Sequence, residues 1–391
     1  MSSSVFDTPS SPTFASPQPQ HDCSCPNSAS SLPIIHDITS LALLPTELQT
    51  LVHDYLIADT CPAHTIALAR LSKHHYATLI PRLYKRIVVT DEAIDRGLYE
   101  GLQAEFDQVE TGAGEERLLS KWDLLGTCES LVFASLYAMD ATDDACRERY
   151  ERYQSRAVWN GLRGLFDGVT HRGYEADAIV DYCQQVDDDR LHMDEGVSRS
   201  AKARYPALYT DNLSHACFHL PYPLHSALSD AISDFYEIFP AFTSPARMRF
   251  VTRFHNCQSD RPMTGVEWTV RNGHTMIVDM LPTEIEQGGE AEVEVLVCNI
   301  VDCCLRVLFR DSDNGSVPQG MIFTNFGTTL SPDGTIRYLS PHVKQTVLEK
   351  AQSVVRQKVR EELEEVSAVN VAVADKIYVR GYEACEFCSD L

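Results

Sequence analysis

The sequence predicts an α/β protein: a short N-terminal module of three helices, followed by an α/β domain with a mixed, partly parallel sheet. Apolar residues recur at helical spacing within residues 41–90. From residue 91 to 391, short β-branched segments alternate with helical stretches. The clearest helical pattern, Pro341 to about Val366, lies between strand candidates Met321 to Asn325 and Lys376 to Arg380. This order is typical of a βαβ crossover, so we expect these two strands to be parallel.

The N-terminal tail is rich in Ser and Pro and has few large apolar side chains. Such a segment cannot bury enough apolar surface to offset the entropy lost on ordering. We therefore expect residues 1–33 to be disordered.

The first predicted helix opens at Leu44-Pro45-Thr46-Glu47-Leu48. Pro45 suits a first helical turn, where its missing N–H costs nothing. One face of this helix is apolar, and it is formed by Leu44, Leu48, Leu51, Val52, Tyr55 and Leu56.

Two further short helices are predicted behind the first. One follows Pro62 and the other follows Ser72, which we predict to be its N-cap. Their apolar positions are Ile66, Leu68 and Leu71, then Tyr76, Leu79, Ile80 and Leu83. Helices this short are marginal alone, so they need each other or a partner protein.

Three blocks follow one another in this module: Leu44-Pro45-x-Glu47-Leu48, Leu68-x-x-Leu71-Ser72-Lys73 and Leu79-Ile80-Pro81-x-Leu83-Tyr84-Lys85-x-Ile87. In this succession the segment from about Leu41 to Val89 resembles the F-box, in its fungal F-box-like form. The resemblance implies that the helices dock on a Skp-type adaptor protein, which links them to a cullin–RING ubiquitin ligase. Carried over by position, the contact residues would be Leu44, Pro45, Leu48, Val52, Leu68, Leu71 and Tyr76.

The same helices also fit an internal cap. Docking on a partner leaves Leu44, Pro45 and Leu48 partly exposed as one apolar patch, whereas a cap buries them. The leading hypothesis is a non-enzymatic adaptor of a Skp–cullin–F-box ubiquitin ligase whose region 91–391 binds an unknown protein substrate. An α/β interaction or structural protein without a ligase link, and an enzyme with a pocket built from distant residues, remain alternatives.

The second domain contains several strand candidates and two other helical regions. The helical regions are Glu92 to Leu119 and Leu224 to Phe239. The remaining strand candidates are Arg86 to Thr90, Ser130 to Leu136, Ser214 to Leu220, Arg247 to Phe254, Met276 to Leu281, Val293 to Asn299 and Leu305 to Phe309. Cys128 to Tyr137 resembles the first strand of the irregular leucine-rich-type repeats of fungal F-box-like proteins. No Leu-x-x-Leu-x-Leu period recurs, so a degenerate solenoid and a closed α/β domain both remain open.

The chain of 391 residues carries a formal net charge of −23. This charge opposes binding to nucleic acid and to anionic membranes, and we predict neither partner. The N-terminus lacks the basic start and apolar core of a signal peptide. Thirteen cysteines without a tight framework suit free thiols in a reducing compartment. We expect a cytoplasmic or nuclear protein.

Signatures of hydrolases, metalloproteases and phosphate-binding loops are absent from the sequence. We therefore predict no catalytic residue and no cofactor. Cys385-Glu386-Phe387-Cys388 has the spacing of half a zinc site. The other close pairs, Cys23 with Cys25 and Cys303 with Cys304, supply no obvious second half, so the prediction is ordinary thiols without a metal. His215, His219 and His225 are expected to be surface or satisfied core residues.

Overall fold

A computed structural model describes the chain in sixteen segments: residues 44–49, 51–52, 62–70, 72–102, 119–154, 165–166, 168–192, 213–220, 250–257, 274–280, 290–312, 319–326, 328–330, 336–338, 341–364 and 371–388. The N-terminal tail, Leu71 and the helix predicted from Leu224 to Phe239 lie outside these segments. The chain divides into two compact units, Met1–Ile80 and Pro81–Leu391.

The described residues of the first unit are mainly helical. Residues 46–49 and 51–52 are helical, and two helices follow, α1 (Pro62–Ala69) and α2 (Lys73–Leu83), the second of which runs across the unit boundary. The backbone N–H of His75 donates to Ser72 Oγ at 3.1 Å, and the N–H of Tyr76 donates to the Ser72 carbonyl at 2.9 Å. Ser72 therefore caps α2, and the N-cap prediction is confirmed.

The second unit is built on one eight-stranded sheet. Its strands are β1 (Arg86–Val89), β2 (Ser130–Phe133), β3 (His171–Tyr174), β4 (His215–His219), β5 (Phe250–Cys257), β6 (His274–Met280), β7 (Gly320–Thr324) and β10 (Ile377–Val379). Every pairing in this sheet is parallel, so the sheet is not mixed as we predicted. Among the described strands, β8 (Thr328–Leu330) and β9 (Ile336–Tyr338) form a separate antiparallel ribbon.

Strand order in the sheet follows chain order, except that β10 takes the place next to β7. The residues just before the first strands are joined by the same backbone hydrogen bond. The N–H of Glu129 donates to the Lys85 carbonyl at 2.8 Å, and the N–H of Thr170 donates to the Glu129 carbonyl at 2.9 Å. Ser214 repeats the contact with Thr170 at 2.8 Å. These four positions are 44, 41 and 44 residues apart, so successive segments of similar length each add one strand.

The helices that the structure describes in the second unit lie between its strands along the chain. They are α3 (Asp91–Asp95), α4 (Lys121–Gly126), α5 (Leu136–Gln154), α6 (Ala176–His192), α7 (Glu290–Ser312), α8 (Pro341–Glu364) and α9 (Val371–Ala374). The helix predicted from Pro341 is confirmed as α8, and the parallel pairing of the strands before and after it is confirmed by β7 and β10. Of the other strands proposed from sequence, β1, β2, β4, β5 and β6 are present, with end points that differ by a few residues.

Two predicted strands, Val293 to Asn299 and Leu305 to Phe309, are wrong because both lie within α7. Their valines favour strands, but consecutive residues Leu296 and Val297 are both buried. Burial resumes at Ile300 and Val301 and again at Cys304, which is the spacing of one helical face. Tertiary burial of this face therefore outweighs the local strand propensity.

The helix predicted from Glu92 ends early, at Asp95. Gly97 adopts a positive φ of 85°, and its N–H donates to the Ile94 carbonyl at 2.8 Å. The N–H of Leu98 donates to the Ala93 carbonyl at 3.0 Å. This pair of bonds is a Schellman motif, in which a glycine terminates the helix.

One face of the sheet forms the core. A single row of register partners crosses all eight strands: Val89, Phe133, Tyr174, Phe218, Phe254, Val278, Phe323 and Val379. Centroids of successive rings from Phe133 to Phe254 lie 5.6, 5.3 and 5.3 Å apart. The row belongs to one large buried cluster together with residues of α6, α7 and α8. Within the described segments, none of the helices is long and apolar enough to cross a membrane.

Candidate functional site

The second face of the sheet is polar at its central strands. Side chains alternate along a strand, so the residues between the rows of the core point to the opposite side. On β3 to β6 these residues include His171, His215, Cys217, His219, Arg253, His255 and Asp279. Several are buried despite being polar, which implies that something covers this face.

The cover is the C-terminal segment, residues 380–388, which follows β10. Near β7, the N–H of Asn325 donates to the Gly381 carbonyl at 3.0 Å. At β5, Arg253 Nη2 donates to the Glu383 carbonyl at 2.5 Å. At β3, the Phe387 ring stacks on His171 with centroids 4.3 Å apart and planes inclined by 7°. The C-terminal segment thus runs from the edge of the sheet back to its centre.

Four side chains that can bind a metal meet between this segment and the sheet. Cys217 of β4, His255 of β5, Cys385 and Cys388 are all buried, and their ligand atoms lie within 4.8 Å of one another. The sulfurs of Cys217 and Cys385 are 3.7 Å apart, compared with about 2.05 Å in a disulfide. The N–H of Cys388 donates to the Cys385 carbonyl at 3.2 Å, which closes a tight turn between the two. We call these four residues the Cys₃His cluster.

A buried polar network fixes the histidine of the cluster. His255 Nδ1 lies 2.7 Å from Asp279 Oδ2, and the same oxygen accepts a hydrogen bond from Arg253 Nε at 2.8 Å. Thr324 donates its hydroxyl to the other oxygen of Asp279. His255 Nε2 is buried and has no hydrogen-bond partner of ordinary geometry among the described residues. The ring is therefore held by its Nδ1 side, and Nε2 is the atom left for the cluster.

Contacts between the members of the cluster shift their pKa values. Burial opposes protonation of His255, but its contacts with Asp279, Cys385 and Cys388 raise its pKa to about 11. A hydrogen bond from Cys217 lowers the pKa of Cys385, and the same bond raises the pKa of Cys217. The pKa of each of these groups is therefore set mainly by burial and by contacts with other members of the cluster and with Asp279.

The other histidines of this face are packing residues beside the cluster. Burial lowers the pKa of His171 to about 3, and its Nδ1 lies 2.7 Å from Ser130 Oγ. His215 is half-buried against Phe387, with centroids 4.8 Å apart. His219 stacks on His255 at 4.3 Å, and burial lowers its pKa to about 4. His225 lies outside the described residues.

The predicted docking residues all belong to the first unit. Pro45 and Leu48 are exposed, Leu48 by 47%, while Leu44 and Val52 are half-buried. Leu51, one turn beyond Leu48 on the predicted apolar face, is 65% exposed. Leu68 and Tyr76 are half-buried, and Leu71 is outside the described residues.

Sequence spacing revealed only half of the Cys₃His cluster. Cys385 and Cys388 form a visible pair, but the other two members are single residues on separate strands, and Cys217 is 168 residues from Cys385. No sequence motif joins them, since parallel pairing of β4 with β5 brings them together. No known protein family, curated protein or solved structure matches this chain.

Proposed function

We propose that this protein is a substrate-recognition adaptor of a Skp–cullin–F-box ubiquitin ligase. Its N-terminal helices dock on a Skp-type adaptor protein, and the unit Pro81–Leu391 binds a protein substrate. The observation that carries the proposal is the exposure of Leu48 and Leu51 in the helical segment that follows Leu44-Pro45. The three-block resemblance to fungal F-box-like proteins names the partner.

The exposure of these leucines distinguishes docking from capping. A cap buries the apolar face of its own helices, because each fully buried leucine contributes about 1.5–3 kcal/mol to stability. Leu48 and Leu51 forgo much of this contribution within the chain. Neighbouring apolar side chains left at the surface are typical of a binding site for another protein. The geometry therefore favours docking over an internal cap.

The sheet of the second unit fits the substrate-binding role. Strands added in chain order at intervals of 44, 41 and 44 residues are typical of solenoid proteins, including leucine-rich-type repeats. Such arrays present long surfaces that bind other proteins. The Leu-x-x-Leu-x-Leu period is absent because these segments are longer and their core row is largely aromatic.

Charge suggests which part of a substrate is recognised. The last turn of α8 exposes Glu361, Glu362 and Glu364, and the whole chain carries a charge of −23. An acidic surface accelerates association with a basic partner. We therefore expect substrates that present a basic segment.

The test is co-purification of the full chain with a Skp-type adaptor. The triple variant Leu44→Ala, Pro45→Ala, Leu48→Ala changes three of the predicted contact residues, including the exposed Leu48, and Tyr137→Ala is the matched control, since Tyr137 is a 49% exposed apolar residue of α5. Loss of even two leucine contacts predicts at least about 100-fold weaker binding for the triple variant. Tyr137→Ala should bind like the wild type.

Circular dichroism and thermal melting separate the possible outcomes. A folded triple variant that no longer binds supports the proposal. No association of the folded wild-type protein with the adaptor overturns it. A triple variant that melts far below the wild type, without a binding partner for the wild type, indicates that the helices form a cap in a protein with no ligase link.

A further inference from the structure

We propose that Cys217, His255, Cys385 and Cys388 bind one zinc ion, forming a closed structural site that fastens the C-terminal segment to the centre of the sheet. This inference goes beyond the adaptor function and does not depend on it. It rests on the geometry of the Cys₃His cluster, on the orientation of His255 and on the burial of all four side chains.

The spacing of the sulfurs fits a tetrahedral ion. Two sulfurs at about 2.3 Å from a tetrahedral zinc lie about 3.8 Å apart. Cys217 and Cys385 are separated by 3.7 Å, and all four ligand atoms lie within 4.8 Å of one another. The Cys-x-x-Cys turn supplies two ligands from one side, as in many structural zinc sites. Strands β4 and β5 supply the other two.

His255 is prepared for coordination. A zinc-bound histidine usually donates its second ring N–H to a carboxylate, which fixes the ring and strengthens the ligand. Here the Nδ1 side of His255 contacts Asp279 at 2.7 Å, and Arg253 and Thr324 hold that carboxylate in turn. The buried Nε2 has no partner of ordinary geometry in the described structure. A metal ion satisfies this atom.

The ligand set selects zinc. Three thiolates and one imidazole in a tetrahedral arrangement are typical of structural zinc sites, whereas calcium and magnesium prefer oxygen ligands. All four residues are buried, so the site has no open position for a substrate. On binding, the ion displaces the protons of the thiols, which coordinate as thiolates. Arg253 offsets part of the excess negative charge of three thiolates and Asp279.

A zinc ion here joins parts of the chain that are far apart in sequence. It links β4, β5 and the C-terminal segment, and it closes a loop of 168 residues between Cys217 and Cys385. Such a cross-link restricts the unfolded chain and stabilises the folded one, because the assembled site exists only in the fold. The role is structural and not catalytic.

The primary experiment measures metal in the wild-type full chain, purified without a metal-affinity tag. Elemental analysis should find about one zinc per chain. Replacing zinc by Co²⁺ should give the intense visible bands of a tetrahedral site together with thiolate-to-cobalt charge-transfer absorption. A folded wild-type chain with no stoichiometric metal, or with a Cys217–Cys385 disulfide found by mass spectrometry, overturns the proposal.

Variants assign the ligands. Cys217→Ser and Cys388→Ser should each lose zinc, while Cys298→Ser, at an exposed thiol of α7, should retain it. Asp279→Asn keeps all four ligands and should weaken zinc binding by about 10–100-fold in competition with a chelator. If Cys217→Ser does not fold, the cobalt spectrum of the wild type still decides, since absence of thiolate-to-cobalt absorption contradicts the site.

Discussion

Gly168 lies at a close approach of two backbone segments just before β3. A Cβ atom built at this position would lie 2.8 Å from the carbonyl oxygens of both Gly126 and Cys128. These are backbone atoms at the end of α4 and the turn that follows it, so they cannot move aside as a flexible side chain would. Gly126 differs, because a Cβ there would meet nothing within 4 Å.

We predict opposite effects for alanine at these two glycines. Gly168→Ala should lower the free energy of unfolding by about 1–3 kcal/mol, because the added methyl group overpacks a rigid contact. Gly126→Ala should be neutral or should raise stability by about 0.4–1 kcal/mol, because it restricts the unfolded chain without a clash. Urea denaturation at saturating zinc measures both. Equal stabilities of the two variants would contradict the close approach at Gly168.

Helix α7 shows how the surroundings of a segment decide its structure. Its sequence alternates valine and glutamate at the start, as an exposed strand does, but Leu296 and Val297 are 5% and 3% exposed in succession. Consecutive residues of a strand point to opposite faces, whereas neighbours on a helix can share one broad buried face. Val295, the preceding residue, is 57% exposed.

Alanine substitutions along α7 test this pattern. Leu296→Ala should cost about 2–5 kcal/mol of unfolding free energy, since it removes most of a buried side chain. Val297→Ala should cost about 1–2.5 kcal/mol on the same grounds, whereas Val295→Ala should change stability by less than about 0.5 kcal/mol. Thermal or urea denaturation checks the three variants. A cost at Val295 as large as that at Val297 would exclude the helical face described for α7.

Strand β3 escaped the sequence analysis for a reason tied to the site. Its residues, His171-Arg172-Gly173-Tyr174, include only one that favours strands strongly, yet all four are buried. His171 lies on the polar face of the sheet and stacks on Phe387 of the C-terminal segment, and the side chain of Val132 fills the space beside Gly173. By contrast α8, β7 and β10 carry regular apolar patterns, and their positions and parallel pairing were predictable.

The candidate site was predictable only where its residues are close in sequence. The spacing of Cys385 and Cys388 indicates half a zinc site. Cys217 and His255, by contrast, are brought close together only by the register of β4 and β5. Register in a buried parallel sheet is set by the core row on the opposite face, here Phe218 against Phe254. Local patterns do not contain this information. The proposed docking residues are the reverse case, since all of them fall within residues 44–76 and their proposed partner is another protein.

At the scale of the second unit, β1 to β7 lie in chain order and β10 lies next to β7, so each strand pairs only with the strands beside it. The C-terminal segment is different because it reaches several strands at once. It bonds at Asn325 beyond β7, at Arg253 of β5 and against His171 of β3. It therefore holds together strands that otherwise contact only through intermediates, and it shields the polar face from water.

Removing the C-terminal segment should consequently destabilise the whole second unit. A chain that ends at Arg380 keeps β10 but loses Phe387 and two members of the Cys₃His cluster, so we expect a loss of at least about 3 kcal/mol of unfolding free energy, comparable to deleting one buried aromatic side chain. The matched control ends at Ser389 and keeps every described contact of the segment. Chemical denaturation and limited proteolysis measure the effect. If both chains unfold at the same denaturant concentration, the C-terminal segment adds nothing to the stability of the sheet.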